Sequence, residues 1–488
     1  MARLRLEPVL VATLLLTALI LRCGALLIFS SHLQEDRDAY LTIAGQLAQG
    51  RGYCDPITQR ATAFRPPVYT IILVPITRLA HPEMGIALLH AVLGTATVFL
   101  TLTLGRRLGF KWCAYLAALL VAVDPLLLQY TTFPMTETIF TFLVTLLLAV
   151  VIEKENTRDR SDLCDAPGID RGLIRPFRPT KPILFCLRRE FGIGVIFGLC
   201  ALCRPTIWAF GLMTAFWWCC RVARENKPDR INLSATPGAD RRLAGPVRQV
   251  SYVQFFLAKI PWSMLLATTL TVSPWLVRNF VVMGTPILTT THGGYTLLLG
   301  NNPVFYREVV RKPWGTVWDD ASPDATHQTW YQAVAKQMEQ ELPITASEID
   351  RDRWTYRRAW QNIKNEPSLF IRACCLRFRR FWHVAPLGRS AKSVPVMAQH
   401  AVRLFYVFVT IGFLLGIVRL KWAESSRWLP LALLLTSFTL VHLFFWSNMR
   451  MRAPLIPVIA LLAAYGFGGW FCKKRDVRFS ERKLKVGD

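Results

Sequence analysis

Long apolar runs separated by short polar segments dominate the pattern of the chain. A run of about 20 apolar residues is long enough to cross the hydrocarbon core of a bilayer as one helix. Runs near or above that length lie at 9–30, 84–104, 112–130, 136–152, 190–203, 205–220, 257–282, 401–420, 428–447 and 453–472. The pattern therefore predicts an all-α polytopic membrane protein with about ten transmembrane helices.

Three apolar segments depart from the simple spanning length. The stretch 190–220 is divided by Arg204-Pro205 and is too long for one straight helix but short for two. The segment Pro67 to Leu79 is short and contains an internal proline, so we expect it at the membrane interface. The N-terminal run mimics a signal peptide, but its length and Arg22 argue against cleavage, and we expect it to remain as the first helix.

Composition and charge agree with a membrane protein, since 52% of the residues are hydrophobic and only 18% are charged. The formal net charge of +26 could indicate nucleic-acid binding, yet in a membrane protein an excess of Lys and Arg first marks loops held in the cytoplasm. If 67–79 does not span, the basic segments around Arg3, Lys111, 154–189, 221–248, Lys421 and 473–475 all fall on one side. We therefore expect a multi-pass protein of the plasma (inner) membrane with no nucleic-acid partner.

The same charge distribution divides the chain into parts. We expect an N-terminal transmembrane module at 1–282 with a first outer loop at 31–83 and cytoplasmic loops at 153–189 and 221–256, an extracytoplasmic domain at 283–400 inserted before the last three helices, C-terminal transmembrane helices at 401–472, and a basic cytoplasmic tail at 473–488. In the inserted domain, Phe370 to Phe381 has a basic amphipathic pattern that predicts a helix on the membrane surface. The extracytoplasmic face should hold the chemistry.

Carboxylates lie at three places near that face. Asp36 and Asp38 precede an amphipathic helix at about 39–48, where either could be an N-cap or a functional acid. Glu137 begins the helix at 136–152, a position at which a negative charge is favourable. Asp124 is placed more deeply, and an ionisable group at such depth is either functional or satisfied within the core.

Four arginines stand at helix ends on the face that the positive-inside bias should deplete, namely Arg204, Arg278, Arg450 and Arg452. The planar guanidinium is well suited to hold phosphate, so together they could clamp the phosphate of a lipid. The alternative is that each side chain reaches for membrane headgroups. Arg450 and Arg452 are two residues apart and cannot share one face of a helix.

Several short motifs, taken in order along the chain, resemble those of one family. D-x-x-x-Y at Asp36 to Tyr40, A-x-x-L-A-x-G at 44–50 and R-P-P-x-Y at Arg65 to Tyr69 resemble the first outer loop of GT-C glycosyltransferases, which include the protein O-mannosyltransferases and the bacterial aminoarabinose transferases. The resemblance continues in order with D-P-x-x-x-x-Y ending at Tyr130, T-E-T around Glu137, R-P-T at 204–206, P-W-x-x-R-N at 274–279, G-N-N-P at 300–303 and R-x-R-x-P-x-x-P at 450–457.

The resemblance implies an inverting transfer of a sugar from a polyprenyl-phosphate donor to an acceptor hydroxyl. The acceptor could be a glycan, a lipid or a protein, and membrane lipids surround the site. By position, Asp36 is the expected base, Asp38 the second choice, and Glu137 the second carboxylate, which orients the acceptor or holds a divalent ion if one is used. The remaining residues that the resemblance brings to donor and substrate binding are Arg65, Tyr69, Arg204, Arg278, Asn279, Asn301, Asn302, Arg450 and Arg452.

No cofactor is fixed by the sequence. A divalent metal ion stays open, although Phe64 replaces an acid that some relatives carry before the R-P-P motif, which weakens a metal site there. A lipid-pyrophosphate-dependent polysaccharide ligase or polymerase is the nearest rival function, because it also needs arginines on the outer face. A transporter is less favoured, since the charges gather at helix ends rather than at the bilayer midplane.

Overall fold

The computed structural model describes residues 2–162, 183–225, 259–318, 326–387, 395–420 and 425–468. The expected loops at 153–189 and 221–256 lie mostly outside these residues, and the tail at 473–488 lies wholly outside them. Within the described ranges the regular structure is helical, apart from one antiparallel bridge between Cys54 and Ala61. The expectation of an all-α chain is confirmed.

The helices of the first half follow the apolar runs closely. They are α1 (Ala2–Ile28), α2 (Tyr40–Ala48), α3 (Pro67–Ile76), α4 (Pro82–Arg107), α5 (Trp112–Ala122), α6 (Pro125–Thr131), α7 (Glu137–Asp162), α8 (Ile183–Ala201), α9 (Ile207–Glu225) and α10 (Trp262–Met283). The expected break at Arg204-Pro205 separates α8 from α9. The ten residues of α3 rise only about 15 Å, too little to cross a bilayer.

The second half of the described chain consists of a helical insertion followed by three apolar helices. Its helices are α11 (Gly293–Gly300), α12 (His327–Glu341), α13 (Glu348–Asn365), α14 (Pro367–Phe381), α15 (Val396–Arg419) and α16 (Ser425–Phe444), and a final span, α17 (Met449–Gly468), opens with a 3-10 helix over Met449–Leu455. A hydrophobic core of its own, built around Trp318, Trp330 and Trp354, holds α11 to α14 together.

Six helices of the described residues are long and apolar enough to cross a membrane, namely α1, α4, α10, α15, α16 and α17. The bent pair α5 and α6, which meet at an angle of 48°, gives a seventh candidate. The other three expected spans also form helices, α7, α8 and α9, but the apolar part of α7 is shorter, from Glu137 to Ile152. The chain is an integral membrane protein, and the full number of ten crossings stays a prediction.

Small residues allow the last span to approach its neighbour closely. A side-chain carbon on Gly416 of α15 would overlap the carbonyl oxygen of Leu462 in α17, and one on Gly466 would overlap that of Gly412. Glycines at such crossings let two helix backbones pack directly in a membrane. The packing fixes the position of α17, whose first turn carries Arg450 and Arg452.

The predicted amphipathic helix forms as α14, and its place at the membrane surface stays a prediction. The side chain of Arg377, one of its basic residues, is buried. Its guanidinium donates to the carbonyls of Gly300 (2.6 Å) and Leu443 (2.5 Å), and so joins α14 to α11 and α16. Backbone carbonyls at two helix ends compensate the buried charge, which the amphipathic pattern alone could not reveal.

Candidate active site

Three arginines and two carboxylates meet at one end of the helix bundle. Asp38 and Arg65 come from the first loop, between α1 and α4, while Glu137 is the first residue of α7. Arg204 occupies the break between α8 and α9, and Arg450 lies in the first turn of α17. Segments distant in sequence thus converge on a cluster of opposite charges, which we call the charge cluster.

Arg450 is the centre of the charge cluster. Its Nη2 donates to Oδ2 of Asp38 at 2.6 Å, and its Nε donates to Oε1 of Glu137. The guanidinium carbon lies 5.6 Å from the ring centre of Tyr130, within the range of a cation–π contact. Upstream, the side chain of Asn448 accepts the backbone N–H of Arg450 at 3.0 Å and caps the 3-10 helix.

Asp38 is held by two arginines. Arg65 donates from Nη2 to Oδ1 of Asp38 at 3.1 Å and from Nε to its backbone carbonyl at 2.7 Å. Burial by itself would raise the pKa of Asp38, but the guanidinium groups of Arg450 and Arg65 outweigh it and hold the pKa at about 2. Asp38 is therefore an anion under all physiological conditions.

Glu137 is completely buried, with 0% of its side chain exposed. Its Oε1 accepts from both Arg450 and Nη1 of Arg204, the latter at 3.2 Å. Within the described ranges, its Oε2 has no hydrogen-bond partner. A carboxylate at the start of α7 also interacts favourably with the positive end of the helix dipole.

Asp36 lies two residues before Asp38 and binds the first turn of α2. Its Oδ2 accepts the backbone N–H of Thr42 at 2.7 Å and also the hydroxyl of that residue, but the N-cap of α2 is Ala39, so the N-cap expectation is wrong for both Asp36 and Asp38. Its Oδ1 is buried, and no partner for it is found among the residues that the structure describes. Asp36 thus keeps one oxygen for a further interaction.

Tyr69 and His90 form a buried pair under the first loop. Nδ1 of His90 donates to the carbonyl of Thr131 at 2.9 Å, which leaves Nε2 to accept from the Tyr69 hydroxyl, also at 2.9 Å. Tyr69 in turn contacts the ring of Tyr40 edge-on at 5.2 Å. Sequence reasoning did not select His90, because a histidine in the middle of an apolar run usually belongs to the core.

Arg278 and Asn279 lie apart from the charge cluster. Arg278 donates to the carbonyls of Thr62 (2.7 Å) and Tyr53 (2.5 Å), which fixes the first loop to the end of α10. Asn279 accepts from Arg278 and donates to the carbonyl of Ile287 at 3.0 Å. Both side chains brace backbone rather than converge on Asp38 and Glu137.

Asn301 and Asn302 also brace the fold. Asn302 caps a short helix by accepting the N–H of Phe305, and it donates to carbonyls of α11. Asn301 donates to the carbonyl of Phe444 at 2.9 Å and accepts from Arg377 at 3.2 Å. Arg452 points away from Arg450, as two residues i and i+2 of a helix must, and donates to the carbonyl of His383 at 3.2 Å.

The fit of a divalent metal ion can be judged from the carboxylates. Divalent cations such as Mg²⁺ take oxygen ligands, and the two buried carboxylate oxygens that have no partner among the described residues belong to different residues, Asp36 and Glu137. In the part of the chain that the structure describes, no group of three or more His, Cys, Asp or Glu side chains is arranged to hold a metal ion. The carboxylates of the described residues therefore do not by themselves supply the ligands of a metal site.

Part of the chain is similar to a known protein family. The family model for dolichyl-phosphate-mannose-protein mannosyltransferase matches residues 66–162. The resemblance to the mannosyltransferase branch of GT-C is confirmed over this segment. The matched segment contains α3 to α7, and with them Tyr69, Tyr130 and Glu137, whereas Asp38 and Arg450 lie outside it.

Solved structures show more distant likenesses. The oligosaccharyltransferase of Archaeoglobus fulgidus in the apo form is 13% identical, with a TM-score of 0.48, and the match covers 97% of this chain but 52% of that one. ArnT from Cupriavidus metallidurans in the apo state is also 13% identical, with a TM-score of 0.34, over 96% of this chain and 78% of that one. The chain thus spans about half the length of the oligosaccharyltransferase. No curated protein matches the chain.

Proposed function

We propose that this protein is a glycosyltransferase that moves a sugar from a polyprenyl-phosphate donor to an acceptor hydroxyl with inversion at the anomeric carbon. The observation that carries the proposal is Arg450, which binds Asp38 and Glu137 at once beside Arg204, at the end of a bundle of apolar helices. A lipid-linked donor reaches such a site from the membrane, with its phosphate at the helix ends and its chain among the lipids. The mannosyltransferase match over 66–162 supports the same class of reaction.

The arginines supply the site for the donor phosphate. Arg204 and Arg450 share Oε1 of Glu137, so a phosphate that enters beside them meets two guanidinium groups already held in place by a buried anion. Preorganised donors of this kind stabilise charge that develops on a leaving group without reorganisation at the moment of reaction. Arg65 forms an ion pair with Asp38 and adds a third guanidinium group to the charge cluster.

Asp36 is the base in this mechanism. Both oxygens of Asp38 bind arginine, and a carboxylate whose pKa lies near 2 is a weak proton acceptor, whereas Oδ1 of Asp36 is unengaged among the described residues. The acceptor hydroxyl gives its proton to Asp36 as its oxygen forms the bond to the anomeric carbon. The bond from that carbon to the phosphate oxygen breaks, and its electron pair leaves with the lipid phosphate.

Release of the free lipid carrier tests this function. The purified protein in nanodiscs is incubated with a panel of polyprenyl-phosphate sugars and a crude envelope acceptor fraction, and the lipid products are identified by mass spectrometry. We expect release of polyprenyl phosphate by the wild type, loss in Asp36→Asn, and wild-type turnover in Asp55→Asn. Asp55 lies in the same loop, and its carboxylate accepts from the nearby Ile57 and Thr58, so Asp55→Asn is the matched control.

The possible results separate the alternatives. Normal turnover in Asp36→Asn would refute the choice of base, and equal activity in Asp38→Asn would show that the paired carboxylate is not required. Release of a polyprenyl pyrophosphate from a pyrophosphate-linked substrate, with no reaction of monophosphate donors, would instead identify the ligase.

We also propose that the charge cluster faces the extracytoplasmic side. Single cysteines are introduced at Ile57 in the first loop and at Lys111 between α4 and α5, in a background without native cysteines. Both positions are exposed in the structure. A membrane-impermeant thiol reagent applied to intact cells should label position 57 but not position 111, and labelling of 111 alone would reverse the orientation.

A further inference from the structure

A second buried polar group lies behind the charge cluster. Asp124, with 2% of its surface exposed, accepts the hydroxyl of Tyr406 from α15 at 3.1 Å and 3.2 Å on its two oxygens. The guanidinium of Arg452 lies 4.8 Å from the ring centre of Tyr406, and its charge acts on Asp124. Arg22 of α1 contributes a further positive charge to Asp124. The residues come from four separate segments of the membrane bundle.

Asp124 also fixes the position of Tyr130. It caps α6, with Oδ1 accepting the N–H of Leu127 at 3.0 Å and proline as the first helical residue. The helix has only seven residues, so its capped start fixes its other end, where Tyr130 contacts Arg450. A change at Asp124 is therefore transmitted along one short, rigid element to the ring beneath Arg450.

Arg452 fixes the 3-10 helix that carries Arg450. It lies two residues after Arg450 in the 3-10 helix, is buried, and donates to the carbonyls of Phe381 (3.4 Å) and His383 (3.2 Å). In the described part of the chain, its Nε and Nη2 find no hydrogen-bond partner, and its guanidinium lies over the ring of Tyr406, whose hydroxyl binds Asp124. Tyr406 thus connects the 3-10 helix to the start of α6.

We propose that Asp124, Tyr406 and Arg452 form a positioning network for Arg450, fixing both the turn that carries it and the aromatic ring against which it rests. The inference rests on the proposed function in one respect, that Arg450 binds the donor phosphate. None of the three residues of the network touches the substrate. They act through the placement of one guanidinium, and a misplacement of about 1 Å in a catalytic group can cost about 100-fold in rate.

The test is a double-mutant cycle between Tyr406→Phe and Arg450→Lys. Tyr406→Phe keeps the ring and removes only the hydroxyl that binds Asp124, and Tyr115→Phe, whose hydroxyl binds Arg106 instead, is the matched control. Donor affinity is measured by titration with polyprenyl phosphate, and kcat and KM with the sugar donor. Thermal unfolding checks that each variant is folded, and Asp124→Asn serves as a second variant.

We expect Tyr406→Phe to weaken polyprenyl phosphate binding roughly 10- to 100-fold, the size of the loss seen when residues that orient metal ligands are changed. In the Arg450→Lys background the same change should alter binding by less than about twofold, because the group being positioned is already lost. Tyr115→Phe should bind as the wild type does.

If Tyr406→Phe weakens polyprenyl phosphate binding equally in the wild type and in Arg450→Lys, the network is wrong. A fall in thermal stability with unchanged donor affinity would also overturn it. If Arg450→Lys itself binds polyprenyl phosphate as tightly as the wild type, the clamp and the network are both wrong. If no donor is turned over but the cycle still shows coupling in phosphate binding, the network stands and the proposed transfer fails.

Discussion

Replacing Asp38 by Asn tests whether the charge cluster stabilises the fold through the charge of this carboxylate. The pKa of Asp38 falls from an ordinary 3.8 to about 2 because the adjacent guanidinium groups outweigh burial. One pKa unit corresponds to about 1.4 kcal/mol, so this shift represents roughly 2 kcal/mol of the free energy of unfolding at neutral pH. The side chain is only 16% exposed, so the value needs little reduction for solvent screening.

The sign of the pH dependence follows from the lowered pKa. The stabilisation is fully present above the pKa of the unfolded state, near 4, and is lost as the pH falls from there towards about 2. Thermal unfolding in nanodiscs should therefore show Asp38→Asn well below the wild type at pH 7, with the difference shrinking as the buffer approaches pH 3. Asp55→Asn should show no such convergence.

Two results would refute this reasoning. A difference between wild type and Asp38→Asn that is the same at pH 7 and pH 3 would mean that shape, not charge, is responsible. No difference at pH 7 would mean that Arg65 and Arg450 find equally good partners without this carboxylate.

The remaining predictions concern packing and bracing. Gly416→Ala should destabilise the protein by about 1–3 kcal/mol, because its new carbon overlaps the carbonyl of Leu462, while Gly192→Ala, which has open space, should not; unfolding in detergent compares them. Arg377→Met leaves buried carbonyls without their donor and should cost about 1–3 kcal/mol for each, measured in the same way. Arg278→Lys should make the first loop more susceptible to limited proteolysis, because a lysine cannot hold both of its backbone carbonyls.

The sequence was informative about which charged residues matter and less so about how they pair. Arg204 and Arg450 are visible because the positive-inside bias should deplete arginine from their face, and Glu137 is visible because it lies in the T-E-T motif at the start of a helix. The separation of Arg450 from Arg452 was also predictable, since residues two apart leave a helix in different directions. These inferences depend only on spacing along the chain.

Pairing depends on contacts between distant segments, which spacing does not contain. Asp36 and Asp38 are equivalent by pattern, yet Asp36 binds the first turn of α2 and Asp38 binds two arginines. Arg278 and Asn301 lie in motifs of the same family resemblance as residues of the charge cluster. Their side chains nevertheless bind backbone carbonyls. Only the folded chain shows which carbonyls lack a donor.

The long sequence separation within the charge cluster has a consequence for how the protein is made. Asp38 and Arg450 are 412 residues apart, and Glu137 and Arg450 are 313 apart. At about 5–20 residues per second, a ribosome needs roughly 20–80 s after Asp38 before Arg450 is synthesised. During that interval Glu137 and Asp38 lack the central cation of their site. The site is thus completed only when the last helix enters the membrane, and a chain truncated before it would leave the carboxylates without Arg450.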